Sequence, residues 1–180
     1  MVDRIAFGKT GWSEKYAGGR VVGRHAYISE FEEAHERFNF LEAPDQRFYA
    51  CLPPIGRNYQ PPQPQEANDW LIIFVSARNG NGPLTVVGWY EQATFEREYR
   101  ERPEYESGND FETDFKDNNY VYCISSSSAQ LIPVENRNIT VPGDHFRRTP
   151  IIYARGNGQD DEWREELAIL AEEIVGNTTS

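Results

Sequence analysis

The chain has two cysteines, one methionine and three histidines among 180 residues, and no apolar run near the ~20 residues of a membrane-spanning helix. Cys51 and Cys123 have no CxxC spacing and no Cys/His cluster beside them, which excludes the common zinc modules. They read as reduced, buried thiols of a cytoplasmic protein. The opening MVDRIAFGKTGW lacks the apolar stretch of a secretory leader. Lysine is scarce: of 18 basic residues, 15 are arginine and 3 are lysine. Arginine offers a planar fork suited to phosphates and base edges; an arginine-rich, acidic composition also fits a GC-rich genome or a salt-loving host.

Glycine-rich nucleotide motifs are missing too. Gly8, Gly11, Gly18, Gly19 and Gly23 have the spacing of neither a P-loop nor a dinucleotide fold. No nucleophile elbow supports Ser/His/Asp chemistry, and SSSS (125–128) reads as a polar turn. HERFN stops short of the zinc-protease HExxH because Asn39 stands where the second histidine belongs. No cofactor is expected.

What is present is aromatic. Aromatics make up 13% of a chain whose formal net charge is −11, a composition that folds but repels nucleic acid on average. The charge is unevenly spread. Residues 1–28 hold Arg4, Lys9, Lys15, Arg20 and Arg24 against Asp3 and Glu14. Residues 130–158 hold Arg137, Arg147, Arg148 and Arg155 against Glu135 and Asp144. A locally basic face is therefore open to the fold.

The order of elements predicts one α+β domain over residues 1–155, a curled sheet or small β-barrel flanked by helices, followed by an amphipathic helix in 156–180. Strands are expected at RIAF (4–7), RFYACL (47–52), WLIIFVS (70–76), LTVVGWYEQATF (84–95), YVYCI (120–124) and AQLIP (129–133). The run at 70–76 and its partner at 84–95, joined by ARNGNGP, should form a central antiparallel hairpin. Residues 96–118 read as a charged surface excursion. Ser29 and Glu32 form a capping box, placing a helix with Phe31, Ala34 and Phe38 on one face. The terminal helix should bury Trp163, Leu167, Leu170 and Ile174, with Asp161 and Glu162 at its positive end.

Two chemistries compete for these residues. Pro44–Asp45 and Asp114 to Lys116 are the bare elements of a metal-dependent nuclease. Against that, Trp12, Tyr16, Phe38, Phe40, Tyr49, Trp89 and Tyr90 fall near strand ends or glycine-rich turns, where rings stack on bases. Phe38 and Trp70 read as core; Trp12 reads equally as core or pocket wall. Asn39 offers a donor and an acceptor to a base edge, or else caps a helix end, and His35 contacts a ligand or satisfies a core carbonyl.

WLIIFVSARNGNGPLTVVGWYEQATF resembles the central hairpin of PUA-like domains, in particular the EVE and YTH-like branches. GWSEKY, HERFNF, RFYACLPP, VVGWYEQATF and AQLIPVENRNITVP also follow the order found in N-terminal domains of HNH-type restriction endonucleases, over roughly residues 4–153. No Cys-paired ββα metal pattern follows residue 155, so the expectation is an excised sensor domain or a stand-alone relative of one. The resemblance implies recognition of DNA, in particular a modified base flipped into an aromatic pocket, with an HNH nuclease domain or subunit as a partner and no membrane. It points to Trp12, Tyr16, His35, Asn39, Phe40, Trp89 and Tyr90 for the pocket. The arginines at hand for phosphates are Arg20, Arg24, Arg137, Arg147 and Arg148, with Arg137 alternatively bracing a loop. A protein-interaction module of the same fold is the remaining alternative.

Overall fold

WLIIFVS is buried along its whole length because a strand of this apolarity must be covered on both faces. In the computed structural model, which describes residues 1–17, 38–54, 60–103, 120–147 and 149–178, seven strands form a mixed sheet. They are β1 (Ile5–Lys9), β2 (Phe48–Ala50), β3 (Trp70–Ala77), β4 (Leu84–Glu101), β5 (Val121–Ser126), β6 (Ser128–Leu131) and β7 (Ile151–Arg155). One helix, α1 (Glu162–Thr178), follows. The order across the sheet is β2-β5-β4-β3-β1-β7, with β6 also paired to β4. The capping box at Ser29 and the helix expected after it lie outside the described residues.

The central hairpin is as expected. β3 and β4 are antiparallel, with Ile72 opposite Tyr90 and Phe74 opposite Gly88. Their turn takes left-handed conformations at Asn79 (φ 52°) and Gly80 (φ 84°), the residue types that tolerate them best. On the other side β3 runs parallel to β1, which pairs antiparallel with β7.

β4 is longer than expected and continues through the charged EREYRE to Glu101. Two irregularities in its pairing with β3 bend it. Val87 is extra between the pairs Phe74–Gly88 and Val75–Val86, and Gln92 (φ 50°) sits between the pairs with Ile72 and Trp70. Such bulges sharpen local twist and redirect a strand. The first half of β4 therefore pairs with β6 and the second half with β5. The serine run is the corner between those partners rather than a free turn. Ser125 and Ser126 end β5, and Ser128 opens β6. The Ser126 hydroxyl donates to the Glu91 carbonyl at 2.5 Å and accepts from the Ser128 N–H at 3.0 Å.

The sheet separates two cores. One face buries Ala6, Trp70, Ile72, Phe74, Tyr90 and Phe95 with Trp12, Tyr16 and Phe40. The other buries Ile5, Phe7, Ile73, Trp89 and Ile152 under α1. The helix turns Leu167, Ala168, Ala171 and Ile174 to the sheet, while Trp163 and Leu170 pack at the edge. The two alanines, absent from the expected stripe, let the helix approach closely.

Arg155 on β7 ties α1 down. Its guanidinium donates to Glu165 at 2.5 Å, to Glu172 at 2.8 Å and to the Val2 carbonyl at 2.8 Å. Burial works to raise the Glu172 carboxyl, but hydrogen bonds from Arg155 and the Val2 N–H outweigh it and hold that carboxyl below its ordinary value. A depressed folded-state pKa stabilises the fold above the unfolded value of about 4.3 and is lost as pH falls through the folded value. Acid titration of stability should thus show a component below about pH 4 that is absent from Glu172→Gln, worth under about 1 kcal/mol at this partly exposed site.

Candidate functional site

Phe40 lies at the centre of one core. Its N–H donates to the Tyr16 carbonyl at 3.0 Å, and its ring meets Tyr16, Phe74 and Tyr90 edge to face at centroid distances of 5.7, 5.5 and 5.5 Å. Phe74 and Tyr90 touch at 5.0 Å. Edge-to-face packing suits the ring quadrupole and contributes about 0.5–1.5 kcal/mol per pair beyond area. The ring lies over Gly88: a Cβ there would stand 2.7 Å from Phe40 Cζ and 2.5 Å from the Gln130 carbonyl oxygen. That contact is why VVGWY carries glycine between two large neighbours.

Asn39 precedes Phe40 and is fully buried. Its carbonyl accepts from the Tyr90 hydroxyl. Its side-chain Oδ1 accepts from the Cys51 N–H at 2.9 Å, fastening this segment to the chain leaving β2. Its Nδ2 is buried with no hydrogen-bond partner among the described residues. Half of the amide is therefore structural, and the other half is an unused donor.

Trp12 is closed in by two arginines, Arg137 at 4.9 Å and Arg78 at 5.2 Å from its ring. Arg137 is 1% exposed. Its Nε donates to the Ile132 carbonyl at 2.7 Å, Nη1 to Ser13 at 2.7 Å and Nη2 to Glu14 at 2.6 Å. Burial, above all, lowers its pKa. With its fork held by three carbonyls, Arg137 braces the GWSE loop and is not placed to meet a phosphate, a correction to one of its two expected roles. Tyr16 lies under the same guanidinium at 5.7 Å and donates its hydroxyl to the Gly11 carbonyl at 2.5 Å.

Trp12, Tyr16, Asn39, Phe40 and Tyr90 thus meet on one face of the sheet. Trp89 does not. Neighbours on a strand point to opposite faces, so Trp89 packs in the α1-side core with its indole N–H on Glu91 at 3.3 Å. It leaves the pocket set. Arg147 is exposed and 3.8 Å from Asp144. His35, Arg20, Arg24 and Arg148 lie outside the described residues.

Of the elements of the nuclease alternative, the structure describes Pro44–Asp45 alone. Asp45 accepts from the Arg47 N–H at 3.0 Å and from the Tyr49 hydroxyl; burial and that bond push the Tyr49 phenol upward. Asp114 and Lys116 lie outside the described residues. Among the described residues no group of three or more His, Cys, Asp or Glu side chains is placed to hold a metal. Cys51 and Cys123 are buried and not joined in a disulfide, as expected, and among the same residues no helix is long and apolar enough to cross a membrane.

Two polar residues of this face escaped the sequence analysis. Thr10 and Ser76 are buried, and their hydroxyls have no partner among the described residues. The signal was Ser76 itself, the one polar residue closing WLIIFVS in phase with Trp70, Ile72 and Phe74. The class defined by these observations is an α+β chain whose described residues form a mixed seven-stranded sheet with one α-helix on one face and an aromatic cluster, adjoined by unpaired polar groups, on the other. No family model, curated protein or solved structure matches it.

Proposed function

We propose that the chain is a non-enzymatic DNA-recognition module of PUA-like fold that admits a modified base to the aromatic face of its sheet. The observation that carries this is the Asn39 amide: Oδ1 is held by Cys51, while Nδ2 is a buried donor without a partner among aromatic rings. Leaving such a donor unpaired costs about 1–3 kcal/mol. A base edge would recover that cost, and the neighbouring rings would stack on its face. The bend of β4 between two sets of partners supports the curled sheet that a PUA-like domain requires. At a net charge of −11 the molecule as a whole does not attract DNA. Affinity rests on the pocket and on local arginines such as the exposed Arg147.

Fluorescence anisotropy with duplexes carrying modified or unmodified bases, at several salt concentrations, tests the proposal. Affinity should fall as salt rises through loss of counterion release. Asn39→Ala should reduce the preference for the modified duplex by roughly tenfold, one hydrogen bond's worth of discrimination. If the folded fraction of Asn39→Ala and Trp12→Ala binds as the parent does while both lose thermal stability, the segment is purely structural and the pocket assignment falls.

A further inference from the structure

Asn39 Nδ2 is not alone. Among the described residues the buried side-chain polar atoms without a hydrogen-bond partner are Thr10 Oγ1, Asn39 Nδ2 and Ser76 Oγ. Thr10 and Ser76 belong to the aromatic face of the sheet, and Asn39 adjoins that core through its neighbour Phe40 and its carbonyl's bond from Tyr90. Along β3, Trp70, Ile72 and Phe74 line the aromatic core, and Ser76 is next in that period. Along β1, Ala6 lies in that core and Gly8 faces Leu52 there, so Thr10 is next in phase. The strands are parallel, with Lys9 opposite Val75, and the Thr10 N–H donates to the Val75 carbonyl at 2.9 Å. Thr10 and Ser76 are therefore lateral neighbours, one residue beyond the row in which Phe74 carries Phe40.

Buried polar groups in a native fold are almost always paired. Two orphans side by side on one face and a third next to Phe40, all adjoining one aromatic cluster, mark a place where an outside group completes the bonding. We infer that Thr10 and Ser76 form the polar floor of a ligand site whose third anchor is Asn39, a site for the edge of a neutral planar heterocycle. Each hydroxyl both donates and accepts, and the free part of Asn39 only donates. The matching edge offers an acceptor, such as a ring carbonyl, to Asn39 and a hydroxyl or amino substituent to the paired hydroxyls. Anions do not fit. Each nitrogen of the Arg137 guanidinium already donates to a carbonyl, and Arg78 donates to the Arg137 carbonyl. The inference deepens the base-recognition proposal and rests on it for DNA as the source of the heterocycle; the site itself can be tested without DNA.

Thr10→Val and Ser76→Ala remove the hydroxyls at nearly constant shape. Replacing an unpaired buried polar group by an apolar one is neutral or stabilising, so the Tm of the unliganded double variant should be unchanged or higher. Two titrations then separate the claims. Free neutral deoxynucleosides should raise the parent's Tm and leave the double variant's unmoved. Duplexes bearing a hydroxymethyl or an ethyl group at one base position should differ about tenfold in affinity for the parent, one hydrogen bond's worth, and bind the double variant alike. Nucleoside binding without duplex binding would keep the site and sink the DNA proposal. Modified-base preference unchanged in the double variant would sink the site and keep the proposal. A lower Tm for the double variant with no nucleoside response in the parent would mean that the hydroxyls hold internal water, and the site is then overturned.

Discussion

Gly88→Ala should destabilise the chain by about 3 kcal/mol, at the upper end of what overpacking a core costs. The cause is space, not backbone conformation, because Gly88 is not among the glycines with positive φ. A methyl group there would lie 2.5 Å from the Gln130 carbonyl oxygen and 2.7 and 3.0 Å from two carbons of the Phe40 ring. Neither neighbour can yield. Gln130 belongs to β6, whose ladder with β4 pairs Gly88 with Leu131 and Trp89 with Gln130. Phe40 is boxed in by Tyr16, Phe74 and Tyr90. Relief therefore means opening the β4–β6 ladder or expelling Phe40 from the core. Urea denaturation should show a lower midpoint at an unchanged slope. Gly176 is the natural contrast: a Cβ there meets nothing within 4 Å, inside α1, and Gly176→Ala should gain up to about 1 kcal/mol from helix propensity. A Gly88→Ala change within about 0.5 kcal/mol of the parent, the usual range of a neutral surface substitution, would mean that Phe40 does not rest on that strand and that the aromatic cluster is assembled differently.

The parts of the fold that could be read in advance were those written by local physics. WLIIFVS and its return strand needed only apolarity, β-branched residues and an Asn-Gly turn, and α1 needed only its period. β7 was missed because IIYAR is short, follows Pro150 and shows no alternation of its own; it exists by pairing with β1, a residue range far away in sequence. The end of β4 was misjudged because EREYRE looks like solvent-facing chain, yet it pairs with β5, where Arg100 lies opposite Tyr122. Site residues divide in the same way. Tyr16, Asn39, Phe40 and Tyr90 were legible as a type of chemistry, though not as a packed cluster. Trp89 and Tyr90 are adjacent letters on opposite faces, and which one faced the aromatic core depended on the bulge at Val87. Thr10 and Ser76 carry no motif. Only the parallel register of β1 and β3 makes them neighbours.

Arg137 shows how a charge can mislead, and its replacement carries the other large expected effect. As a letter in ENRN it suggests a phosphate contact; in the fold its three nitrogens hold carbonyls from two separate segments, Ser13 and Glu14 on one side and Ile132 on the other. It also stacks against Trp12 and receives, on its own carbonyl, a donor from Arg78. Arg137→Met keeps much of the volume but strips the donors from one buried carbonyl, that of Ser13, and two part-buried ones, those of Ile132 and Glu14. Each acceptor stranded away from water costs about 1–3 kcal/mol, and the loss of the whole network should come to about 3–5 kcal/mol, at the large end for a single substitution. Arg137→Lys should recover only part of this, because a single ammonium cannot span the positions of a planar fork. Chemical denaturation and DNA binding, measured on the same three proteins, separate the two roles. A brace predicts large stability losses in the order Met, then Lys, with the folded fraction of Arg137→Lys binding DNA like the parent. A phosphate contact predicts the reverse: stability near that of the parent, weaker binding of every duplex regardless of sequence, and a shallower dependence on salt.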